Sequence, residues 1–167
     1  IEGLLNSKTI VVLPEHTGTW LVASGEKPEV YQAASVSDAM LWLAASNPLQ
    51  LAYALLNAQG QDRLADALFR MKAEQMAHDY QAIFGSLAKE YAVTLVAGSI
   101  VLPAPMVRNG VLQVSDGPLY NVSQVFASDG TALGQRQRKV VPIIDEQGFT
   151  AASPASALKV IDTPAGR

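Results

Sequence analysis

Two side chains of opposite charge stand where they could do chemistry. Glu15 follows the apolar run of residues 10–13 and Pro14, and Lys139 lies in the segment GQRQRKVVP. A carboxylate at the rim of a core can accept a proton, and partial burial is expected to raise its pKa. A lysine that points inward can stabilise developing negative charge if a carboxylate pairs with it. The two residues therefore predict a site for proton transfer and charge stabilisation.

Each candidate also has a purely structural explanation. Glu15 fits a solvated loop carboxylate or a helix-capping contact, and Lys139 fits an edge-strand lysine that discourages aggregation. Glu146, in IIDEQGF, is a third candidate, although an acidic pair before Gln147-Gly148 is also typical of a polar turn. His16 either tunes Glu15 or caps a loop, and a single histidine favours the loop cap.

The composition narrows the class of protein. The chain has 167 residues, the size of one domain, and 49% of them are hydrophobic while 16% are charged. The net charge is −3 and the basic residues are scattered apart from Arg136, Arg138 and Lys139, so no nucleic-acid partner is expected. There is no cysteine, and His16 and His78 lie far apart, so neither a metal nor another cofactor is predicted.

One apolar stretch raises the question of a membrane. Residues 39–56, AMLWLAASNPLQLAYALL, are almost long and apolar enough to span a bilayer, but Asn47-Pro48 and Gln50 interrupt them. We predict two short helices instead, with Asn47 as the N-cap of the second, and no membrane partner. The N-terminal residues show no signal-peptide pattern, so a cytoplasmic location is the default expectation.

The pattern of elements predicts an α/β fold with a mixed sheet. Apolar β-rich runs alternate with helical periodicity, and an Asp129-Gly130 turn joins two later strands into a hairpin. Trp20, in a loop over residues 17–32, is either a substrate-facing aromatic or a core filler, and its apolar neighbours favour the core. The expected strands are 8–13 and 92–102, both buried and central, then 111–114, 120–127, 132–141 and 158–161; the expected helices are 35–46, 47–58 and 62–91, the last with a break near 69–72 or a bend at Gly85.

Three ordered motifs resemble the nitrilase superfamily of carbon–nitrogen hydrolases. They are VVLPEHTGTW around Glu15, LAKEYAVTLVAGSI over residues 87–100, and YNVSQVFASDGTALGQRQRKVVP over residues 120–142. The resemblance implies an αββα sandwich and a Glu-Lys-Cys triad that cleaves a small-molecule amide, nitrile or carbamoyl compound through a thioester. Glu15 would then be the general base, Lys139 would stabilise the oxyanion, and Glu146 would match a second glutamate found in some members.

The chain departs from that family at both ends. Members continue from a Pro-x-Gly-Arg passage, matched by residues 164–167, into a strand that ends in the nucleophilic cysteine, and they carry a strand and a helix before the Glu-bearing strand. The resemblance therefore implies that residues 1–167 are a partial hydrolase domain, inactive alone. We expect such a piece to form a homo-oligomer or to associate with the remainder of the domain.

Two other functions fit the same residues. The chain could be a non-catalytic binding or structural module in which Glu15 and Lys139 form an ion pair and the loop over residues 17–32 contacts a partner. The family also includes N-acyltransferases, in which the apolar stretch 40–56 would touch lipid.

Overall fold

The computed structural model describes residues 3–134 and 136–166, which form a mixed α/β fold. A four-stranded sheet carries one long helix on its face, and a two-stranded hairpin and three shorter helices surround them. The strands are β1 Ile10–Val12, β2 Thr94–Pro103, β3 Met106–Arg108, β4 Val111–Gln113, β5 Leu119–Phe126 and β6 Gln137–Arg138. The helices are α1 Pro28–Tyr31, α2 Val36–Ser46, α3 Pro48–Asn57 and α4 Arg63–Glu90, with 3-10 turns at Thr19–Ala23 and Ala155–Ala157.

The main sheet has the order β1-β2-β5-β6 and mixes both strand directions. β1 runs parallel to β2, whereas the β2–β5 and β5–β6 pairs are antiparallel. The register between β2 and β5 shifts between Val96 and Ser99, so β2 carries an irregularity at Gly98. β3 and β4 form a separate hairpin around Asn109-Gly110. The predicted mixed sheet is confirmed, and the irregularity in β2 faces the residues that follow β1.

The core lies between α4 and the sheet. The buried side of α4 presents Phe69, Met76 and Tyr80, which pack in one cluster with sheet residues such as Ile100 and Phe126. Tyr80 and Phe126 have ring centroids 5.8 Å apart. Asp62 begins the helix as its N-cap, because its side chain accepts a hydrogen bond from the Ala65 amide. α4 is one continuous element of 28 residues, so the expected break near residues 69–72 does not occur.

The predicted pair of helices at residues 36–57 is confirmed. α2 and α3 meet at Asn47 with a bend of 104°, and Pro48 is the first residue of α3. Asn47 makes no capping hydrogen bond with its side chain, which donates instead to Glu26 Oε2 at 2.9 Å. In the described part of the chain no single helix is long and apolar enough to cross a membrane, and only this bent pair reaches that length and composition when its members are combined.

Some expectations for the strands were wrong. β1 is an edge strand of the described sheet and not a central one, because it pairs only with β2. Its side chains are correspondingly open, with Val12 68% exposed. In the expected hairpin strand 132–141, the described residues form only β6 and an isolated bridge between Phe126 and Ala132, and residues 158–161 form no strand.

The loop region after β1 also differs from the prediction. Residues 17–32 contain a 3-10 turn and α1, so they are more ordered than a plain loop. Trp20 is 66% exposed, and its expected role as a core filler was therefore wrong. Leu21 and Val22, its neighbours in the sequence, do pack against the core. Because a short 3-10 turn directs successive side chains to different sides, apolar neighbours do not determine where Trp20 points.

Candidate functional site

One ammonium group joins two carboxylates that are far apart in the sequence. Lys139 Nζ donates hydrogen bonds to Glu15 Oε1 at 2.7 Å and to Glu146 Oε2 at 2.6 Å. The Glu15 side chain is 53% exposed, whereas Lys139 and Glu146 are 19% and 5% exposed. The structure therefore brings together all three residues singled out from the sequence. The Glu15 carboxylate is exposed, whereas the Glu146 carboxylate is buried.

Asn121 joins the same two carboxylates from within the sheet. Its Nδ2 group donates to Glu15 Oε1 at 3.0 Å and to Glu146 Oε1 at 2.7 Å. The residue is 2% exposed, so both of its amide protons are used where water does not compete. Because a carboxylate only accepts hydrogen bonds, the amide nitrogen and not the amide oxygen must face the two glutamates.

The hairpin of β5 and β6 places Lys139. The Lys139 backbone amide donates to the Asn121 carbonyl at 2.8 Å, directly after the pairing of Arg138 with Val122. Successive residues of a strand point to opposite faces, and Arg138 accordingly lies over the Tyr120 ring, 3.9 Å from its centroid. Lys139 and Asn121 are thus cross-strand neighbours in one hairpin, and their side chains reach the site from the same face.

The irregularity in β2 holds the segment that carries Glu15. Gly98 has φ +66°, and a Cβ atom at this position would lie 2.2 Å from the Pro14 carbonyl oxygen. Only glycine allows so close an approach in this conformation. Next to it, Ser99 Oγ accepts a hydrogen bond from the His16 amide at 2.8 Å, and the Ser99 carbonyl accepts one from Gly18 at 2.9 Å. β2 is therefore hydrogen-bonded to the residues on both sides of Thr17.

His16 reaches across to the buried carboxylate. Its Nε2 lies 3.2 Å from Glu146 Oε1 and 3.7 Å from Glu15 Oε1, and its Nδ1 lies 3.2 Å from Thr19 Oγ1. The residue has φ 63°, a left-handed conformation that costs a non-glycine residue about 1–2 kcal/mol. The expectation that His16 merely caps a loop is incomplete, because its ring contacts the site.

Glu146 is held by its own turn as well as by its partners. Its Oε2 accepts a hydrogen bond from the Ile143 amide at 3.0 Å in addition to the one from Lys139. Thr150 Oγ1 donates to the Glu146 carbonyl at 3.1 Å, which closes the turn. The residue does stand in a turn, as one of the two sequence interpretations had it, but its side chain points inward and both of its oxygens are satisfied.

The two glutamates differ in their free oxygens. Glu146 accepts from three donors through both of its oxygens, Asn121 on Oε1 and Lys139 and Ile143 on Oε2, and His16 Nε2 lies 3.2 Å from Oε1. Glu15 accepts through Oε1 alone, and no group among residues 3–134 and 136–166 donates to its Oε2. Glu15 is therefore the carboxylate with an oxygen available to a substrate or a nucleophile.

The electrostatics keep all three groups charged at neutral pH. The hydrogen bond from Lys139 lowers the pKa of Glu15 in spite of partial burial. Burial acts to raise the pKa of Glu146, but donors led by Lys139 outweigh it and lower that pKa. Burial likewise acts to lower the pKa of Lys139, and its bonds to both carboxylates raise it instead. The sequence-based expectation of a raised Glu15 pKa was wrong, because the ammonium contact dominates over burial.

The same position also gathers three side chains of the types that bind metal ions. Glu15, His16 and Glu146 each offer a ligand atom, and these atoms lie within 4.8 Å of one another. The Lys139 ammonium, however, already binds both carboxylates and would repel a metal ion. The ligand set fits a lysine-centred cluster better than a metal centre.

The sequence prediction missed Asn121 and Ser99. Both lie in motifs that drew attention for other reasons, YNVSQ and VAGSI, and nothing in the local pattern distinguishes Ser99 from an ordinary strand residue. A buried asparagine in an apolar strand was the available signal, since such a group needs partners. No protein-family model matches the chain, and no curated protein matches it. The interpretation of the site therefore rests on its motifs and its geometry.

Proposed function

We propose that this chain carries the acid–base part of a carbon–nitrogen hydrolase site of the nitrilase type. The observation that carries the proposal is the position of Lys139 Nζ between Glu15 and Glu146, at 2.7 and 2.6 Å. The three residues occur in the order and motifs that resemble that superfamily. The mixed sheet with α4 on one face is compatible with one half of an αββα sandwich, which we propose as the complete architecture.

The proposed roles follow from the hydrogen bonds of each group. Glu15 accepts the proton of a thiol through its free Oε2, because its lowered pKa keeps it ionised at neutral pH. The thiolate then attacks the carbon of the substrate, and the oxygen or nitrogen that gains negative charge lies near the Lys139 ammonium. Glu146 accepts from three groups through both of its oxygens, so it holds the lysine and takes no proton itself.

The nucleophile has to come from outside the 167 residues. The sequence contains no cysteine, and a Glu-Lys pair without a thiolate retains only positioning and charge stabilisation. We therefore propose that the whole protein supplies a cysteine to this cluster and that the 167-residue chain is inactive alone. The proposed substrates are small amides, nitriles or carbamoyl compounds.

The test is the Glu15→Gln substitution in the whole protein. Ammonia release is measured from propionamide, propionitrile and N-carbamoyl-alanine. Loss of a general base is expected to lower kcat by about 10²- to 10⁴-fold. Glu29→Gln is the matched control, because Glu29 is an exposed glutamate on α1. Glu15→Gln is expected to lower the unfolding midpoint only slightly relative to the control, because Gln retains an oxygen for Asn121 and the ion pair that is lost involves a half-exposed carboxylate.

The opposite result supports a second function. A cluster of one ammonium and two carboxylates can also serve as a structural link between β6 and the segment after β1. Unchanged turnover in Glu15→Gln, with a lowered unfolding midpoint, would assign the cluster to a non-catalytic binding or structural module.

A further inference from the structure

The mechanism proposed above leaves the His16 ring without a role, although the ring contacts the site. Its Nε2 lies 3.2 Å from Glu146 Oε1, and the side chain is 32% exposed. Glu146 belongs to the turn after β6, whereas His16 follows β1. The ring is therefore a direct bridge between two segments that are about 130 positions apart in the sequence.

The partners of the ring define which nitrogen carries a proton. Glu146 Oε1 carries negative charge and lies 3.2 Å from His16 Nε2, so it favours a proton on that nitrogen. In the neutral ring Nδ1 is then an acceptor, and the Thr19 hydroxyl, 3.2 Å away, is placed to donate to it. One hydroxyl and one carboxylate thus select a single tautomer and a single ring orientation.

The backbone of His16 is held in a conformation that suits few side chains. Its φ of 63° is in the left-handed region, which few residues other than glycine, asparagine, aspartate and histidine adopt. The amide bond to Ser99 Oγ, at 2.8 Å, fixes this conformation from the sheet. A strained residue that is fixed on both its backbone and its ring is typical of a site where geometry matters.

We propose that His16 is a positioning residue for Glu146 and, through it, for Lys139, an inference that rests on the proposed hydrolase function. Asn121 donates to Oε1, Lys139 and Ile143 donate to Oε2, and the His16 ring lies 3.2 Å from Oε1, so these four contacts restrict rotation of the Glu146 carboxylate. Lys139 then stays between the two glutamates, and Glu15 keeps its Oε2 free. Loss of the ring releases one of these four contacts and lets the ammonium move relative to the reacting carbon.

The His16→Gly substitution separates this role from a structural one. Glycine adopts the left-handed φ without strain, so the variant removes the ring while the backbone conformation becomes easier. The matched control is Ala92→Gly, because Ala92 is exposed, has φ 50° and lies at the junction of α4 and β2. Thr19→Val removes the hydroxyl that orients Nδ1 and provides a second, milder variant.

Kinetics and nitrogen chemical shifts of the whole protein are the measurements. We expect His16→Gly to remain folded with an unchanged melting temperature, and its kcat for the three probe substrates to fall by up to about 100-fold with little change in KM. The kcat of Thr19→Val is expected to fall less, and the kcat of Ala92→Gly is expected to stay at the wild-type value. The ¹⁵N shifts of the wild-type ring should show a protonated Nε2.

Two results would overturn the proposal: wild-type kcat in a folded His16→Gly variant, or a ring protonated at Nδ1 alone. If His16→Gly does not fold, Thr19→Val decides, since wild-type kcat in that variant contradicts the role and a lowered one supports it. Failure of the wild-type protein to hydrolyse any probe would count against the hydrolase function instead. The ring shifts would still decide whether His16 bridges to Glu146.

Discussion

Asn121 is the residue on which both glutamates converge, because a single amide group donates to each of them. Its replacement by aspartate would set a third carboxylate beside the two that Nδ2 now contacts, at 3.0 and 2.7 Å. Like charges that are buried and close destabilise strongly, so we expect Asn121→Asp to lose about 3 kcal/mol or more at pH 7. Urea unfolding measures this loss.

The matched control for that variant is Asn6→Asp. Asn6 is exposed, and its Oδ1 accepts from the Lys8 amide, a bond that aspartate retains. The control should unfold like the wild type. The loss in Asn121→Asp should also shrink at acid pH, since one carboxyl group can then bind a proton; an equal loss at pH 4 and pH 7 would contradict the charge argument.

The pKa shifts of the cluster predict the pH dependence of stability. The pKa values of Glu15 and Glu146 are lowered from 4.5, so their stabilising contribution is fully present above that value and is lost as the pH falls through the lowered values. The pKa of Lys139 is raised from 10.5, so its contribution is present below that value and is lost above the raised one. We expect the free energy of unfolding to be nearly constant between about pH 5 and pH 10.

The measurement is denaturant unfolding at a series of pH values. Glu146→Gln should flatten the decline on the acid side, because that carboxyl no longer titrates. Stability that increased below pH 4.5 would contradict the lowered carboxyl pKa values.

The residues of the cluster were predictable from the sequence and their environment was not. Glu15 stands out because a charged group directly after an apolar run needs an explanation, and Lys139 stands out because a lysine that points inward from a strand needs a carboxylate partner. Asn121 does not stand out, because its contacts with the two glutamates depend on which strands pair and in which register. The direction of the Glu15 pKa shift also depends on the distance to Lys139, a long-range contact that no local pattern contains.

At the scale of elements, the irregularity in β2 is the feature that allows the site to form. Gly98→Ala would place a methyl group 2.2 Å from the Pro14 carbonyl oxygen in a left-handed conformation. We expect this variant to lose about 2 kcal/mol or more and to displace the segment that carries Glu15. Thermal unfolding measures the loss.

Gly134→Ala is the matched control for this prediction. Gly134 has open space around the position of an added Cβ, so the substitution should be tolerated. A Gly98→Ala variant as stable as Gly134→Ala would mean that the close approach of Pro14 to β2 is not needed.

The regular elements were largely predictable and the irregular ones were not. α4 and β5 follow clear periodicities, and their observed bounds are close to the expected ones. β1 looked like a central strand because a run of β-branched residues is typical of one, yet Ile10 and Val12 are exposed at an edge. The hydrophobic pattern of a strand shows which side chains are suited to burial. Whether they are buried depends on the elements that pack against the strand.

At the scale of the molecule, α3 presents an unpaired apolar stripe. Leu49, Tyr53 and Leu56 recur at helical spacing and are 82%, 73% and 80% exposed. Contiguous apolar surface of this kind favours association, so we expect the 167-residue chain to elute from size-exclusion chromatography above its monomer mass of 17.7 kDa.

Charge on that stripe should weaken the association. The double variant Leu49→Glu and Leu56→Glu is expected to shift the elution toward the monomer, whereas the exposed pair Ser37→Glu and Gln61→Glu, with equal added charge, should not. A wild-type chain that elutes as a monomer at tens of micromolar would contradict the expectation.

The hairpin of β5 and β6 limits which insertions and deletions this protein can tolerate. Lys139 reaches the two glutamates only because its amide pairs with the Asn121 carbonyl, and a shift of one residue would turn the lysine to the side that Arg138 now occupies. Insertions and deletions at the tip of the hairpin are therefore tolerable only when β6 keeps its partner residues. Insertions and deletions in related sequences should accordingly occur at the Asp129-Gly130 tip. The number of residues from the last paired residue of β6, Arg138, to the lysine should stay fixed.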